Sequence, residues 1–557
     1  MAENRDRILM LVLAACVAAL FFSLNNRALW DPDEGRYAEM AREILVLNDW
    51  VTPHLNGLVY FEKPMMYMWL EAVSFKAFGV SEWAARLVSL LSALGGAALV
   101  GFMAKRLWGS KAGLIAALCL MTSAEYFVLA DAVDINMTLT LFITAAFVFF
   151  RLGHVEGKPG YLLLFWASMA CATLTKGPIG LILPMGAIGL FILMTRRFDL
   201  IANSKPVSGG LVYLAITLPW FMIVSMRNPG FFSFFFIDQN LLRYTVSHEH
   251  NQPIFYFLVV ILAGALPWTF LFPSAVKELW KNRASHDALY IAVWFAFVLG
   301  FFSLSSSKLA TYVLPCFPPL ALFMAYAFHH TPARARMPLA LAGALWAFLG
   351  ATLMVLPVMV SKGIVPLSAN GIEPLLHSGT MMGAIILAGA IASFLVGARF
   401  DNISGTAFMG MIIMITALIF STNWDSVRST ESLVQGLPAH ARLFAYRTYY
   451  PSSSFYTHKQ VGLVDYRGEL DLGVRHKPQG GAVLTLEQLN GFLDTDSEAY
   501  CLTQKRHLAE LKKKIPEITV VRQAGKLCLV AVPHRQISRA ENLPPIQQQA
   551  RLLDRKT

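Results

Sequence analysis

The sequence predicts a polytopic α-helical membrane protein of about 13 transmembrane helices followed by a small C-terminal α/β domain. Of its 557 residues, 56% are apolar and only 15% charged, against roughly 25% charged in a soluble chain. The apolar residues gather in stretches of about 17 to 24, the length a helix needs to cross a hydrocarbon core of about 30 Å. Beyond about residue 424 the pattern changes to short β-rich runs and charged helices.

In chain order the spans centre near residues 8–25, 83–104, 112–129, 137–150, 161–175, 179–195, 209–226, 254–274, 288–303, 309–328, 337–360, 380–398 and 405–422. The net charge of +11 sits largely in alternate connections: Arg5 and Arg7, Lys105 to Lys111, Arg151 and Lys158, Arg196 to Lys205, Lys277 to Arg283, Arg334 and Arg336. That alternation is a topology signal rather than a nucleic-acid surface, and it turns those connections to the cytoplasm. The first loop, 26–82, carries nine acids against five Lys and Arg and faces outward. An odd number of spans then places the C-terminal domain outside too. The first apolar run reads as a retained anchor, because it lacks a small-residue cleavage site and more spans follow. The divisions expected are 1–423 for the membrane domain, 424–540 for the outer α/β domain and 541–557 for a Gln- and Arg-rich tail without apolar periodicity.

In the outer domain, RLFAYRTY and VGLVDY read as strands on either side of a Pro-initiated stretch, PSSSFYT. A polar connection leads to a helical pattern at TLEQLNGFL and a strand at Cys501. A helix ending in Lys512, Lys513 and Lys514 comes next, then two strands joined by an Ala-Gly turn. Cys501 and Cys528 lie in two of these runs, and a disulfide between them requires adjacent strands. Cys16, Cys119, Cys171 and Cys316 lie in or beside apolar spans, as small hydrophobes.

The first loop is too long for a plain connector. In Asp31-Pro32-Asp33-Glu34-Gly35-Arg36-Tyr37, Asp31 and Glu34 fit a capping box with Pro32 at the first helical position. That leaves Asp33 without a structural task, at the edge of a membrane span where charge is costly and usually serves a site. Further on, Glu62 and Lys63 precede an apolar helix of about fifteen residues ending at Gly79, too short to span and too apolar for water. They are either a surface ion pair or part of a site at membrane depth.

Other outward connections repeat the theme. Lys176 and Lys308 each stand alone between two apolar spans, as snorkelling anchors or as anion ligands. The loop from Arg227 to Pro253 adds Asp238, Gln239, Asn240, Arg243, Tyr244, His248, Glu249 and His250, and the connection before the fourth span holds Glu125, Asp131, Asp134 and Asn136. Asp134 reads equally as a helix cap or as a polar element of the same cavity. Walker A, GxGxxG and CxxC motifs are absent from the sequence, which leaves nucleotide hydrolysis, dinucleotide redox and zinc-thiolate chemistry without support. No cofactor is required by the sequence; a divalent metal at Glu62, His248 and His250 is an open alternative to their being polar loop residues.

The run Asp31 to Glu39, the segments Asp49-Trp50-Val51-Thr52-Pro53 and Tyr60-Phe61-Glu62-Lys63-Pro64, then Thr175-Lys176-Gly177-Pro178, Asn228-Pro229-Gly230-Phe231-Phe232 and Ser307-Lys308-Leu309-Ala310-Thr311-Tyr312, together resemble the bacterial 4-amino-4-deoxy-L-arabinose lipid A transferases and related protein O-mannosyltransferase-like membrane glycosyltransferases. The resemblance implies a C-type glycosyltransferase fold. It also implies a sugar moved with inversion from undecaprenyl phosphate to lipid A or another envelope acceptor at the periplasmic face of the inner membrane. By motif, Asp33 and Glu62 would be the catalytic carboxylates, and Lys63, Arg243 and Tyr312 the contacts to the carrier phosphate. Glu34, Arg36, Tyr37, Asp134, Lys176 and Lys308 complete the expected substrate-binding set. The chain departs from the family pattern at Ala310, where Pro is usual, at Met65-Met66, and at Asn136-Met137, where many relatives carry an acid before Met.

A sugar on a lipid phosphate already carries its leaving group, so the site has mainly to stabilise departing negative charge with Lys, Arg or Tyr donors. A transporter is the alternative of another class. Transporters place charge near the bilayer midplane and show internal repeats, whereas here the charges collect in outer loops.

Overall fold

The computed structural model describes residues 2–245, 251–330, 336–362, 373–466, 468–476, 483–484 and 498–532. It divides into two units. The first runs to Ser432 and also includes Tyr450–Tyr456; the second comprises Leu433–Tyr449 and the described residues from Thr457 onward.

Among the described residues of the first unit, nine helices are long and apolar enough to cross a membrane. Two bent pairs bring the number to eleven: α5 (Ser110–Met121) with α6 (Ala124–Ala130), bent by 71°, and Tyr256–Gly264 with Trp268–Lys281, bent by 104°. The other two expected spans are helical as well, as α8 (Pro159–Lys176, 18 residues) and α9 (Ile179–Thr195, 17 residues), although neither is among those counted. A break in a spanning helix frees backbone groups that lipid cannot satisfy, and here the two breaks are bonded to one another. Ala124 N donates to the Leu266 carbonyl at 3.0 Å, and Trp268 Nε1 donates to Thr122 Oγ1 at 2.9 Å.

After α1 (Ala2–Ser23) the first loop forms α2 (Asp33–Leu47), a two-stranded turn of β1 (His54–Leu55) and β2 (Leu58–Val59), and α3 (Met66–Phe78). Helix α3 stops at Gly79, whose φ of 84° suits glycine, and α4 (Glu82–Trp108) follows. The expected capping box does not form. Pro32 takes the N-cap position without a side-chain cap. Asp31 instead accepts hydrogen bonds from Ser452 N at 3.0 Å and from Ser452 Oγ. A Cβ on Gly35 would lie 2.5 Å from Ser452 N, so glycine is what lets Tyr450–Tyr456 approach α2 this closely. The segment read as a Pro-initiated stretch is the helix Pro451–Thr457, and the first unit extends beyond the boundary expected at 423.

The second unit carries a six-stranded mixed sheet in the order β5-β4-β3-β6-β8-β7. Its strands are β3 (Arg442–Tyr446), β4 (Gly462–Val464), β5 (Val483–Leu484), β6 (Ala499–Gln504), β7 (Thr519–Ala524) and β8 (Leu527–Val532). β3 is parallel to β4 and β6, whereas β8 is antiparallel to β6 and β7. Helix Lys505–Lys514 buries Leu511 with Phe444, Val464 and Val530. Cys501 lies opposite Val530 and Cys528 opposite Thr503, a diagonal placement; both thiols are free and buried. The pattern at TLEQLNGFL and the tail lie outside the described residues.

Candidate active site

Four segments of the first unit meet around one cleft. They are Glu62-Lys63 ahead of α3, Lys176 at the end of α8, the turn carrying Gln239, Asn240, Arg243 and Tyr244, and the stretch Phe301–Tyr312 with Ser305 and Ser307. The third segment, read from sequence as a loop, is a π-helix at Ser233–Leu242 continuing into Arg243–Thr245. Its widened i→i+5 turn fits a functional site. Ser306 Oγ fastens this turn by donating to the carbonyls of Arg243, at 3.2 Å, and Tyr244, at 2.9 Å. Arg243 is thereby held at the wall.

Among the described residues the cleft wall carries three cations and one carboxylate. Glu62 lies 3.8 Å from Lys63 Nζ and 3.6 Å from Arg243, and Arg243 also donates to Gln239 Oε1 at 3.1 Å. Burial by itself would raise the Glu62 carboxyl, but Lys63, Arg36 and Arg243 outweigh it and hold it below the usual range. Burial lowers Lys63 to about 8, with Glu62 opposing the shift. Lys176 Nζ sits 4.0 Å above the Tyr312 ring and donates to Asn136 Oδ1. A wall with this excess of positive charge is an anion site, and mixed Lys and Arg donors suit a phosphate.

Asp33 opens the first turn of α2 with its side chain 57% exposed, bonded to Arg36 at 3.1 Å. Its charge reaches Asp134, Lys63 and Tyr37. Burial first, and then Asp33, push the Asp134 carboxyl upward. Asp134 caps α7 (Ile135–Glu156) through Asn136 N at 2.6 Å and also accepts from Asn136 Nδ2 at 3.3 Å. It is a helix cap and a neighbour of the cleft at once.

Three expected ligands are placed elsewhere. Glu34 turns inward, 5% exposed, where it pairs with Arg27 and Arg86 and accepts from Val133 N and Trp30 N at 3.0 and 2.8 Å. Burial favours its neutral form, yet the two guanidinium groups prevail and leave it at about 2. Its oxygens are taken, so it holds the loop rather than a substrate. Tyr37 is buried edge-on against Tyr67, ring centres 5.5 Å apart. Lys308 is buried and gives Nζ to the Ser305 carbonyl at 2.6 Å, supporting the turn instead of lining the cleft. His248 and His250 lie outside the described residues. Among the described residues no group of three His, Cys, Asp or Glu gathers in a way that could hold a metal.

Sequence reasoning missed Arg27 and Arg86 as the partners of Glu34. An arginine inside an apolar span, fully buried in the case of Arg86, was the available signal. It also missed that Asn136, through Thr311 Oγ1 at 3.1 Å, ties α7 to the stretch that carries Tyr312.

Residues 62–223 match the family model of dolichyl-phosphate-mannose-protein mannosyltransferases, and residues 430–532 that of the aminoarabinose transferase C-terminal domain. The undecaprenyl phosphate-alpha-4-amino-4-deoxy-L-arabinose arabinosyl transferase of Erwinia tasmaniensis is 31% identical over 509 residues, covering 86% of this chain and 90% of that one. The protein of the same name from Edwardsiella ictaluri is 30% identical over 491 residues, 84% and 88% of the two chains. The crystal structure of ArnT from Cupriavidus metallidurans bound to undecaprenyl phosphate superposes with a TM-score of 0.83 at 29% identity, covering 95% of this chain and 99% of that one.

Proposed function

The chain belongs to the undecaprenyl phosphate-α-4-amino-4-deoxy-L-arabinose arabinosyl transferase family and is a multi-span membrane glycosyltransferase; from that premise we propose that it moves 4-amino-4-deoxy-L-arabinose, with inversion, from undecaprenyl phosphate to a phosphate of lipid A at the periplasmic face of the inner membrane. The observation that carries this reading is the cleft wall of Lys63, Lys176 and Arg243 with Glu62 as its one carboxylate. An undecaprenyl-phosphate sugar brings its anion to such a wall. The basic residues of the alternate connections support the orientation, with the first loop and the cleft outside.

As the bond from the sugar C1 to the phosphate oxygen breaks, its electron pair goes to the leaving phosphate, and the cations stabilise the charge that develops there. An oxygen of the acceptor phosphate forms the new bond to C1 from the opposite face. That oxygen is already ionised near neutral pH, so no base is needed to activate it. Asp33, exposed at the start of α2 and held by Arg36, then positions the sugar and stabilises its cationic transition state. Exchanging Asp33→Asn should lower transfer by about 100-fold or more, in line with removal of one charge-stabilising group, while binding of undecaprenyl phosphate changes by less than about threefold. Unchanged turnover would remove Asp33 from the mechanism. Mass spectrometry of lipid A with and without the gene tests the acceptor, and identical spectra would overturn that part of the reading.

A further inference from the structure

Lys176 ends an apolar helix, and its ammonium reaches the cleft past the Tyr312 ring. A flexible four-carbon side chain needs something to aim it. Here that is a neutral amide. Asn136, 5% exposed, accepts Lys176 Nζ on Oδ1. Its Nδ2 donates to Asp134 Oδ2 at 3.3 Å and to Thr311 Oγ1 at 3.1 Å. The acceptor and both donors of the amide are thus used, which fixes its orientation and joins α7, α8 and the stretch leading to Tyr312 in one bonded unit. Asp134 is itself held, its N–H donating to Ser89 Oγ at 3.2 Å and Ser89 meeting Tyr67 Oη at 3.1 Å.

The choice of an amide matters for charge. An aspartate at position 136 would put a carboxylate directly on the ammonium and neutralise much of its field at the cleft. The asparagine holds the ammonium with the same reach and no charge, and keeps Asp134 one side chain away. We propose that Asn136 is a positioning residue for the donor phosphate: it aims Lys176 into the cleft as a cation without a carboxylate in direct contact. This rests on the reading of the cleft as the site of the undecaprenyl-phosphate sugar.

The test is equilibrium binding of undecaprenyl phosphate to the purified full-length protein, alongside transfer kinetics with the undecaprenyl-phosphate-linked sugar. Wild-type protein that does not bind undecaprenyl phosphate overturns the donor reading itself. If wild type binds, Asn136→Asp should weaken binding and raise the donor KM by about tenfold, with kcat within about threefold, because only an electrostatic contact to the phosphate has changed. A carboxyl at 136 would also face Asp134, so Asn136→Ser, which removes the amide without adding charge, is run in parallel and should cost about threefold in affinity. Asn136→Ser should have no further effect in a Lys176→Gln background, since an uncharged change that acts through Lys176 is silent once Lys176 is gone. Wild-type affinity in both position-136 variants, or a loss in Asn136→Ser that adds to that of Lys176→Gln, would show that Asn136 only supports the fold and would overturn the proposal. If Asn136→Asp does not yield folded protein, the cycle of Asn136→Ser with Lys176→Gln decides it alone.

Discussion

Two charge clusters among the described residues of the first unit, one buried around Glu34 and one half-buried at the cleft, are built on opposite principles. Around Glu34, two arginines, Arg27 and Arg86, meet two acids, Glu34 and Asp131, with Ser23 Oγ and the backbone of Val133 and Trp30 taking up remaining bonds. Around the cleft, Lys63, Lys176 and Arg243 share the wall with Glu62, while Asp33 and Asp134 act on them from outside the lining. The first cluster is closed and neutral, whereas the second is open and positive. A closed cluster stabilises a loop at the edge of lipid, where an unpaired charge would be intolerable. An open one leaves its last partner to be supplied by a ligand. Adjacent residues of one motif, Asp33 and Glu34, fall on different sides of this division.

The largest effect should come from opening the closed cluster. Glu34→Gln removes the carboxylate that two buried guanidinium groups share and should cost about 3–5 kcal/mol of stability, read as a lowered Tm and poor recovery of folded protein. A stable Glu34→Gln protein with impaired donor binding would instead return Glu34 to the ligand set. Next in size, Lys63→Ala should raise the donor KM by about tenfold to 100-fold, the range of a charge-assisted contact to phosphate, while Tm barely moves, because the cleft gains nothing from one more like charge. The smallest effect is on pH dependence. Burial sets Lys63 near 8, so its charge is largely present at pH 7 and lost as pH rises through about 8. Donor affinity should therefore fall by up to about tenfold between pH 7 and 9. Lys63→Arg, whose charge persists, should flatten that profile; an unchanged slope would assign the titration to another group.

Much of this was legible in the sequence, for physical reasons that can be named. Spanning helices announce themselves by length and apolar content, and strands such as RLFAY and LCLVAV by composition. The segments that form the cleft were visible as charges that apolar surroundings do not explain. Which way each charge points was not visible. On α2, neighbouring side chains project about 100° apart, so Asp33 stays exposed while Glu34 is buried, and only the tertiary partners Arg27 and Arg86 decide it. Asn136 was invisible for a similar reason: its importance lies in Lys176, Asp134 and Thr311 arriving from three segments. The bends at α5–α6 and after Gly264 escaped because both halves are apolar, and composition does not record a change of direction.

The return of Tyr450–Tyr456 to the first unit makes the two units interleaved in sequence rather than joined end to end. The chain passes between them three times, at Ser432–Leu433, Tyr449–Tyr450 and Tyr456–Thr457. One cut therefore cannot separate them. A chain truncated after Ser432 would lose Ser452 and leave Asp31, which burial pushes up to about 7 despite that serine's two bonds, without its donors beside Gly35. A chimera that exchanges the second unit between relatives must carry 450–456 with the membrane unit, so what is exchanged is two separate segments of chain.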